Sequence, residues 1–377
     1  MPRKYLMTPG PSPVPAQVRE AMSREIMHHR TDEYKEILTR VHQNLKYIFA
    51  TENPVLVFSA SGTGALEAAV VNFLSPGDKI IVVNGGKFGE RWSGIAKAYG
   101  VEVIEYTLEW GAAPDPLKIR KLLEENKNVK AVYTTLCETS TGTVYDIEKI
   151  AAVVKAFPAI MVVDGVSGLG QDELLTDAWG VDVVVSGSQK GFMLPPGLAF
   201  FSVSPKAEKL IETSTLPKYY FDLKKALKSY AKNDTPFTSA VALIVALDTA
   251  LSLIKEEGLE KRQKKFRLMA KAARAGAEAL GLAVFSQRPS DSVTAVLVPQ
   301  SIKSTDLVKK LRTEEGLSIA GGQEAVKEKI IRIAHMGWIN EQDLLMCFSL
   351  IEKVLKELGY DFPVGASLKK IQEVLYA

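Results

Sequence analysis

The stretch VDVVVSGSQKGFMLPPG, residues 181–197, joins three signals in one place: a run of β-branched apolar residues, a corner of small residues, and a lysine ahead of a Pro-Pro-Gly turn. An apolar run of this kind, hydrophobic on both faces, reads as a strand buried in a sheet. Lys190 then stands at the strand's carboxyl end, where open α/β sheets gather their ligands. Most lysines are solvated surface charges. Here small neighbours and prolines leave the amine partly desolvated, which lowers its pKa and favours attack on an aldehyde.

Working outward, the same short apolar runs recur in VLVFSA (55–60), KIIVVNG (79–85), VEVIEY (101–106), VKAVYTTL (129–136) and AIMVVDGV (159–166). Helical stretches separate them, so the pattern is that of an α/β protein with a buried, mostly parallel sheet flanked by helices. Upstream, residues 9–15 form a proline-rich arm. Residues 16–49 then show helical spacing at Val18, Met22, Ile26 and at Ile37, Val41, Leu45, Ile48, interrupted by the polar His28, His29 and Arg30. Beyond Thr238 a long apolar helix is expected, leading through 256–280, a helix with one solvated face, into a second unit. That unit reads as α+β, with strands near 292–299 and 330–336 and helices near 304–315 and 341–358. The resulting division is an arm at 1–15, a large domain at 16–255 and a smaller C-terminal domain at 256–377.

The bulk properties agree with a soluble enzyme. At 377 residues the chain is too long for a single small core. Hydrophobic residues at 46% and charged residues at 24% match ordinary globular proteins and argue against disorder. The formal charge of +3 is spread along the chain without a basic block, so no nucleic-acid partner is indicated. Cys137 and Cys347 are too few for a disulfide framework and too far apart for a close-spaced metal site, and a reducing cytoplasm fits them. The longest apolar run, 240–247, is closed by Asp248 and falls far short of the ~20 residues a bilayer requires, so no membrane association is expected.

Several positions offer chemistry beside Lys190. Asp164 ends a strand otherwise free of charge, and a carboxylate there needs a partner such as a pyridinium nitrogen, unless it simply caps a turn. SASGTGALEAAV (59–70) is a Gly- and Ser-rich corner between strand and helix, able to point backbone N–H groups at an anion. It matches neither the P-loop nor the dinucleotide fingerprint. Phe88, in GGKFGER (85–91), is placed to stack on a planar ring or to join the core. CETSTG (137–142) supplies the hydroxyls of Thr139, Ser140 and Thr141. Arg332, inside the apolar run IIRIAHM, is shaped to grip a carboxylate or to form a structural ion pair. His335 and Trp338 receive no role.

Taken together and in order, TPGPSPVP (8–15), SASGTGALEAAV, GGKFGER, CETSTG, VVDGVSGLG (162–170), SGSQKGFMLPPG (186–197) and IIRIAHMGW (330–338) resemble the class V aminotransferases, specifically the alanine–glyoxylate and serine–pyruvate group. The likeness covers nearly the whole chain. It implies the pyridoxal-phosphate-dependent transferase fold of type I, with pyridoxal 5'-phosphate as cofactor and no metal. Lys190 becomes the Schiff-base lysine, Asp164 the partner of the pyridinium nitrogen, Phe88 the stacking residue where relatives commonly carry tryptophan, and Gln189 a cofactor contact. Ser61, Gly62 and Thr63 are implied to hold the phosphate, and Thr139 to contact the ring. Thr238 is implied to complete the phosphate site of a neighbouring subunit in a homodimer, with Thr235 standing where relatives have a tyrosine. Arg332 is implied to bind the substrate carboxylate and the backbone around Gly10 to line the pocket.

The expected reaction moves an amino group from alanine, serine or aspartate to a 2-oxo acid such as glyoxylate or pyruvate, in ping-pong order. A lyase or cysteine desulfurase on the same fold is the nearest alternative. A desulfurase needs a mobile reactive thiol, and neither cysteine is placed for that. A silent binding protein of this fold is the alternative from another class.

Overall fold

The computed structural model describes residues 4–377, so the first three residues of the N-terminal arm lie outside the described residues. A seven-stranded sheet forms the centre, in the order Val55–Phe58, Ala199–Val203, Val183–Gly187, Ile160–Asp164, Val129–Thr135, Lys79–Asn84, Glu102–Thr107. All six apolar runs read as strands are strands. The seventh, Ala199–Val203, follows the Pro-Pro-Gly turn and runs antiparallel to both neighbours, while the remaining pairs are parallel. Its residues are wholly buried, so periodicity alone does not distinguish it from a core segment of another kind.

Helices cover both faces because each carries an apolar stripe. Thr31 caps helix Asp32–Phe49 by accepting from the Tyr34 amide, and Ile37, Val41, Leu45 and Ile48 face the core. The interruption at 28–30 is the linker between this helix and Ala16–Met22. The long helix expected after Thr238 is two helices, Val241–Glu257 and Leu259–Ala279, parted at Gly258 with φ 81°. That backbone conformation suits glycine and ends the first helix. Val241, Ile244, Leu247 and Leu251 join the core on one face of the large sheet, whereas Phe266, Met269 and Ala273 join a separate C-terminal core.

The C-terminal core is built on an antiparallel sheet ordered Val293–Leu297, Ile330–Ala334, Ala320–Gly321, with helices Ser304–Glu314, Glu341–Glu357 and Ala366–Leu375. The last helix is not among the elements the sequence pattern predicts. Ile371 lies so close to Gly276 that a Cβ there would sit 2.7 Å from its side chain, which is why the two helices can pack. The N-terminal arm is not free. Tyr5–Leu6 pairs in parallel with Leu317–Ser318, and Met7 is buried in the C-terminal core. The arm then runs toward the large sheet, where Ser12 bonds to the backbone of Gln189 and Lys190.

Candidate active site

Lys190 lies in the connection between Val183–Gly187 and the reversed strand Ala199–Val203, beside the carboxyl end of Ile160–Asp164. The side chain is only 5% exposed. Its Nζ donates to the Pro9 carbonyl at 2.7 Å and to Ser167 Oγ at 2.9 Å. Burial pushes the amine down to about 8 against the pull of the Asp164 carboxylate. An amine so placed has a far larger neutral fraction near physiological pH than an ordinary lysine, and the neutral form is the one that attacks a carbonyl.

Asp164, also buried, ends its strand, and Oδ1 accepts from the Val166 amide at 2.8 Å. The turn reading of this residue is therefore correct for one oxygen. Burial drives the carboxyl up to about 6, opposed by that amide and by the Lys190 charge. A cationic ring nitrogen beside it would offset the cost of keeping the carboxylate charged.

The glycine-rich corner is the start of helix Gly62–Val71, capped by Ser61, whose hydroxyl accepts from the Gly64 amide at 3.4 Å. A Cβ on Gly62 would approach Val166 to 3.0 Å, so the corner lies against the loop that follows Asp164. Thr63 Oγ1 receives Arg91 Nη1 at 3.1 Å. Phe88, in the first turn of helix Lys87–Ala98, faces Lys190, with Nζ 5.6 Å from its ring centroid. Gln189 Oε1 is buried with no hydrogen-bond partner among the described residues. An orphaned acceptor beside the lysine is what a bound polar ligand would satisfy.

Arg332 projects from the middle strand of the small sheet toward the large one. Nη1 donates to the Thr139 carbonyl at 3.0 Å, and Nε and Nη2 donate to the Gly321 carbonyl at 3.0 and 2.8 Å. It is buried, has no ion pair among the described residues, and is pushed down to about 10 by burial, with Glu138 acting in the opposite sense. The ion-pair alternative for Arg332 is thus not what the structure shows. A guanidinium held by carbonyls alone keeps its charge available for an anion.

Gly10 has φ 94°, and a Cβ there would come within 2.8 Å of Lys190 Cε. Thr139 Oγ1 is hydrogen-bonded to Ser167 Oγ, which ties it to Lys190 through one hydroxyl. Thr238 is not brought to these groups within its own chain: it is exposed, on the 235–239 segment beside Ser59. Thr235 has its hydroxyl engaged by the Phe237 carbonyl at 2.8 Å. His335 is a core residue. Its Nδ1 bonds the Asp291 carbonyl at 2.7 Å, its Nε2 bonds Thr294 Oγ1 at 2.8 Å, and burial lowers it to about 3.

Ser167, Glu138 and Arg262 are among the participants that the sequence leaves unassigned. Ser167 is three residues beyond Asp164 in VVDGVSGLG, and its position within that stretch was the available signal. Glu138, in CETSTG, is buried and accepts from the amides of Phe88 at 3.1 Å, Gly89 at 2.9 Å and Ser140 at 3.1 Å, anchoring the backbone of Phe88. Arg262, expected on a solvated helix face, is buried and donates to Gly191 at 2.9 Å and Gly337 at 3.1 Å. It also pairs with Glu257 at 2.6 Å, and no periodicity marks its burial, because the two carbonyls it reaches are distant in sequence. A separate cleft of about 630 Å³ lies among Leu123, Val129, Phe157 and Leu210 at the amino ends of the strands, away from Lys190.

A desolvated lysine facing an aromatic ring, a buried carboxylate and a glycine-rich helix start, all on this sheet, define a pyridoxal-phosphate enzyme of fold type I. The chain belongs to the class V aminotransferase family, whose model, Aminotransferase class-V, matches residues 4–344. It is 34% identical to the L-aspartate–glyoxylate aminotransferase of Paracoccus denitrificans, covering 98% of this chain and 95% of the relative. It is 45% identical to a protein of Anabaena cylindrica named the soluble hydrogenase 42 kDa subunit, over 96% of each. The ureidoglycine–glyoxylate aminotransferase of Bacillus subtilis superposes with a TM-score of 0.95 at 28% identity, covering 100% of this chain and 99% of that structure. The protein is a transaminase with pyridoxal phosphate as its cofactor. No helix among the described residues is long and apolar enough to cross a membrane.

Proposed function

We propose that this transaminase takes the amino group of a small amino acid, alanine, serine or aspartate, and delivers it to glyoxylate or pyruvate in ping-pong order. The observation that carries the reading is Arg332, a buried guanidinium without a carboxylate partner among the described residues, held by the Thr139 and Gly321 carbonyls. Both a donor amino acid and a 2-oxo acceptor present a carboxylate, so one fixed fork serves both halves of the reaction. The aspartate–glyoxylate and serine–glyoxylate aminotransferases among its relatives support this choice of substrates.

In this assignment Ser61, Gly62 and Thr63 hold the phosphate, Phe88 stacks on the ring, Thr139 and Gln189 contact its polar edge, and Asp164 faces its nitrogen. When bound, pyridoxal phosphate supplies an aldehyde carbon that exchanges amines and a ring that accepts the electron pair left at the substrate's α-carbon. Lys190 would move the proton: its amine would take it from the substrate's α-carbon and deliver it to the aldehyde carbon, a 1,3-shift. The Pro9 carbonyl and Ser167 hydroxyl orient that amine. Gly10 leaves room for the lysine stem and the substrate.

Thr238, exposed in its own subunit, serves the phosphate site of a second copy, making the working unit a homodimer. The two buried, unpaired thiols suit a cytoplasmic location. Cys137 and Cys347 are both raised by burial, so neither supplies the thiolate a desulfurase requires.

The test is single-turnover reaction of the cofactor-loaded protein with alanine, serine, aspartate and cysteine, read by absorbance and by product analysis. Formation of pyruvate, hydroxypyruvate or oxaloacetate supports transamination. Alanine and sulfide from cysteine as the dominant outcome would overturn it.

A further inference from the structure

Phe88 and Arg91 stand one turn apart on helix Lys87–Ala98 and so share a face. The Arg91 guanidinium carbon lies 4.9 Å from the centroid of the Phe88 ring, the ring that Lys190 Nζ approaches to 5.6 Å. At the same time Arg91 Nη1 donates to Thr63 Oγ1 at 3.1 Å, in the first turn of helix Gly62–Val71. One side chain thus touches both the stacking ring and the helix start assigned above to the phosphate.

Its charge is uncompensated. Arg91 has no ion pair among the described residues, although two acidic side chains are close in sequence or space. Glu90 is engaged by Lys87 at 3.1 Å, and Glu67, one turn beyond Thr63, is engaged by the Tyr99 hydroxyl. A half-buried arginine whose candidate partners are occupied elsewhere, and whose only polar contact among the described residues is a hydroxyl, retains donors for an anion. After burial and nearer groups, its charge also acts on Asp164 and Lys190, which places it within electrostatic reach of the site.

We propose that Arg91 is a cofactor-binding residue that reads the phosphate dianion from beside Thr63 and so selects phosphorylated over unphosphorylated pyridoxal. The inference rests on the phosphate lying at Ser61–Thr63. A phosphate ester carries a charge of about −1.5 to −2 at neutral pH, and a planar guanidinium matches its oxygens in pairs. The helix start offers backbone N–H groups but only a partial charge, so a full cation beside it adds strength the turn lacks. Stacking on Phe88 holds the fork in place.

The experiment titrates cofactor-free wild type, Arg91→Ala, Arg91→Gln and Arg91→Lys with pyridoxal phosphate and, separately, with pyridoxal. Binding is followed by protein fluorescence, and thermal midpoints confirm folding. The expected result is that Ala and Gln weaken pyridoxal phosphate by about tenfold or more while pyridoxal changes by less than about twofold, with Lys intermediate. Inorganic phosphate should compete in wild type and lose its effect in the Ala and Gln variants. Equal weakening of both ligands would reduce Arg91 to a brace for the ring and overturn the proposal, as would no change in either. A wild type that binds both ligands equally well would instead remove the phosphate from Ser61–Thr63, a failure of the site assignment that leaves a different signature.

Discussion

Lys190 Nζ donates to the main-chain carbonyl of Pro9 at 2.7 Å, across 181 positions of sequence. The acceptor is presented by an arm fastened at two points. Tyr5–Leu6 is zipped to Leu317–Ser318 of the C-terminal core, and Ser12 bonds the Gln189 and Lys190 backbone carbonyls at 2.9 and 2.8 Å. The amine is therefore oriented by groups from the chain's beginning, and their placement depends on the C-terminal unit as well as the large sheet.

Gly10→Ala tests that contact sterically. A Cβ would fall 2.8 Å from Lys190 Cε, at a φ of 94° that disfavours any side chain. The expected outcome is a folded protein with a thermal midpoint slightly lowered, but cofactor attachment to Lys190 reduced by about tenfold or more. Reduction with borohydride followed by peptide mapping measures it. Undiminished labelling of Lys190 would show that the approach is not tight.

The reactivity of Lys190 should follow its depressed pKa. Because only the neutral amine attacks, association of cofactor-free protein with pyridoxal phosphate should accelerate as pH rises, with a midpoint near the value of about 8 that burial imposes. Stopped-flow rates between pH 6 and pH 10 supply the check, with the wide range chosen to bracket the ordinary lysine value. A rate still climbing at the top of that range would mean the amine is not desolvated as described.

Asp164→Asn separates stability from binding. The Asp164 carboxyl is raised by burial to about 6, above its unfolded value of 3.8, so at neutral pH the folded cofactor-free protein bears the cost of a buried charge. That cost is absent below the unfolded pKa, grows as pH rises from there toward the folded one, and is complete above it. Asparagine removes it while keeping an acceptor for the Val166 amide, so the cofactor-free variant should be more stable at pH 8 by on the order of 1–3 kcal/mol. Its affinity for pyridoxal phosphate should fall. Denaturant unfolding of both proteins at pH 5 and pH 8 decides, and a variant less stable at both would contradict the account.

Arg332→Ala should raise KM for amino and 2-oxo acids by about tenfold to a thousandfold, as expected for loss of a charged fork, while leaving cofactor affinity nearly unchanged. Arg332→Lys should recover part of the loss. Carboxylate-free amines provide the control, since their reaction should not notice the change. Equal effects on amines and amino acids would assign Arg332 a purely structural role.

Cys137 and Cys347 should resist a thiol reagent in the native protein and react together on unfolding, because both are buried and raised well above the usual thiol range. Timed labelling at pH 8 measures this. Rapid modification of Cys137 alone would reopen the desulfurase alternative.

Local pattern was sufficient for much of the architecture. β-branched runs, apolar on both faces, located six of the seven central strands, and the strand-end rule led from there to Lys190 and Asp164. The strand Ala199–Val203, the break at Gly258 and the helix Ala366–Leu375 were not legible in the same way. Their identity depends on what packs against them, which periodicity does not encode.

The site divides along a similar line. Lys190, Asp164, Phe88 and Arg332 are conspicuous in the linear chain because each is a charge or a ring set among residues unlike itself. Ser167, Glu138 and Pro9 are ordinary residues whose importance is purely positional: a hydroxyl at 2.9 Å, a carboxylate gathering three amides, and a carbonyl at 2.7 Å. Backbone carbonyls and short polar side chains act over one hydrogen-bond length, and only the folded chain brings groups from residues 9, 167 and 190 within that length of one another.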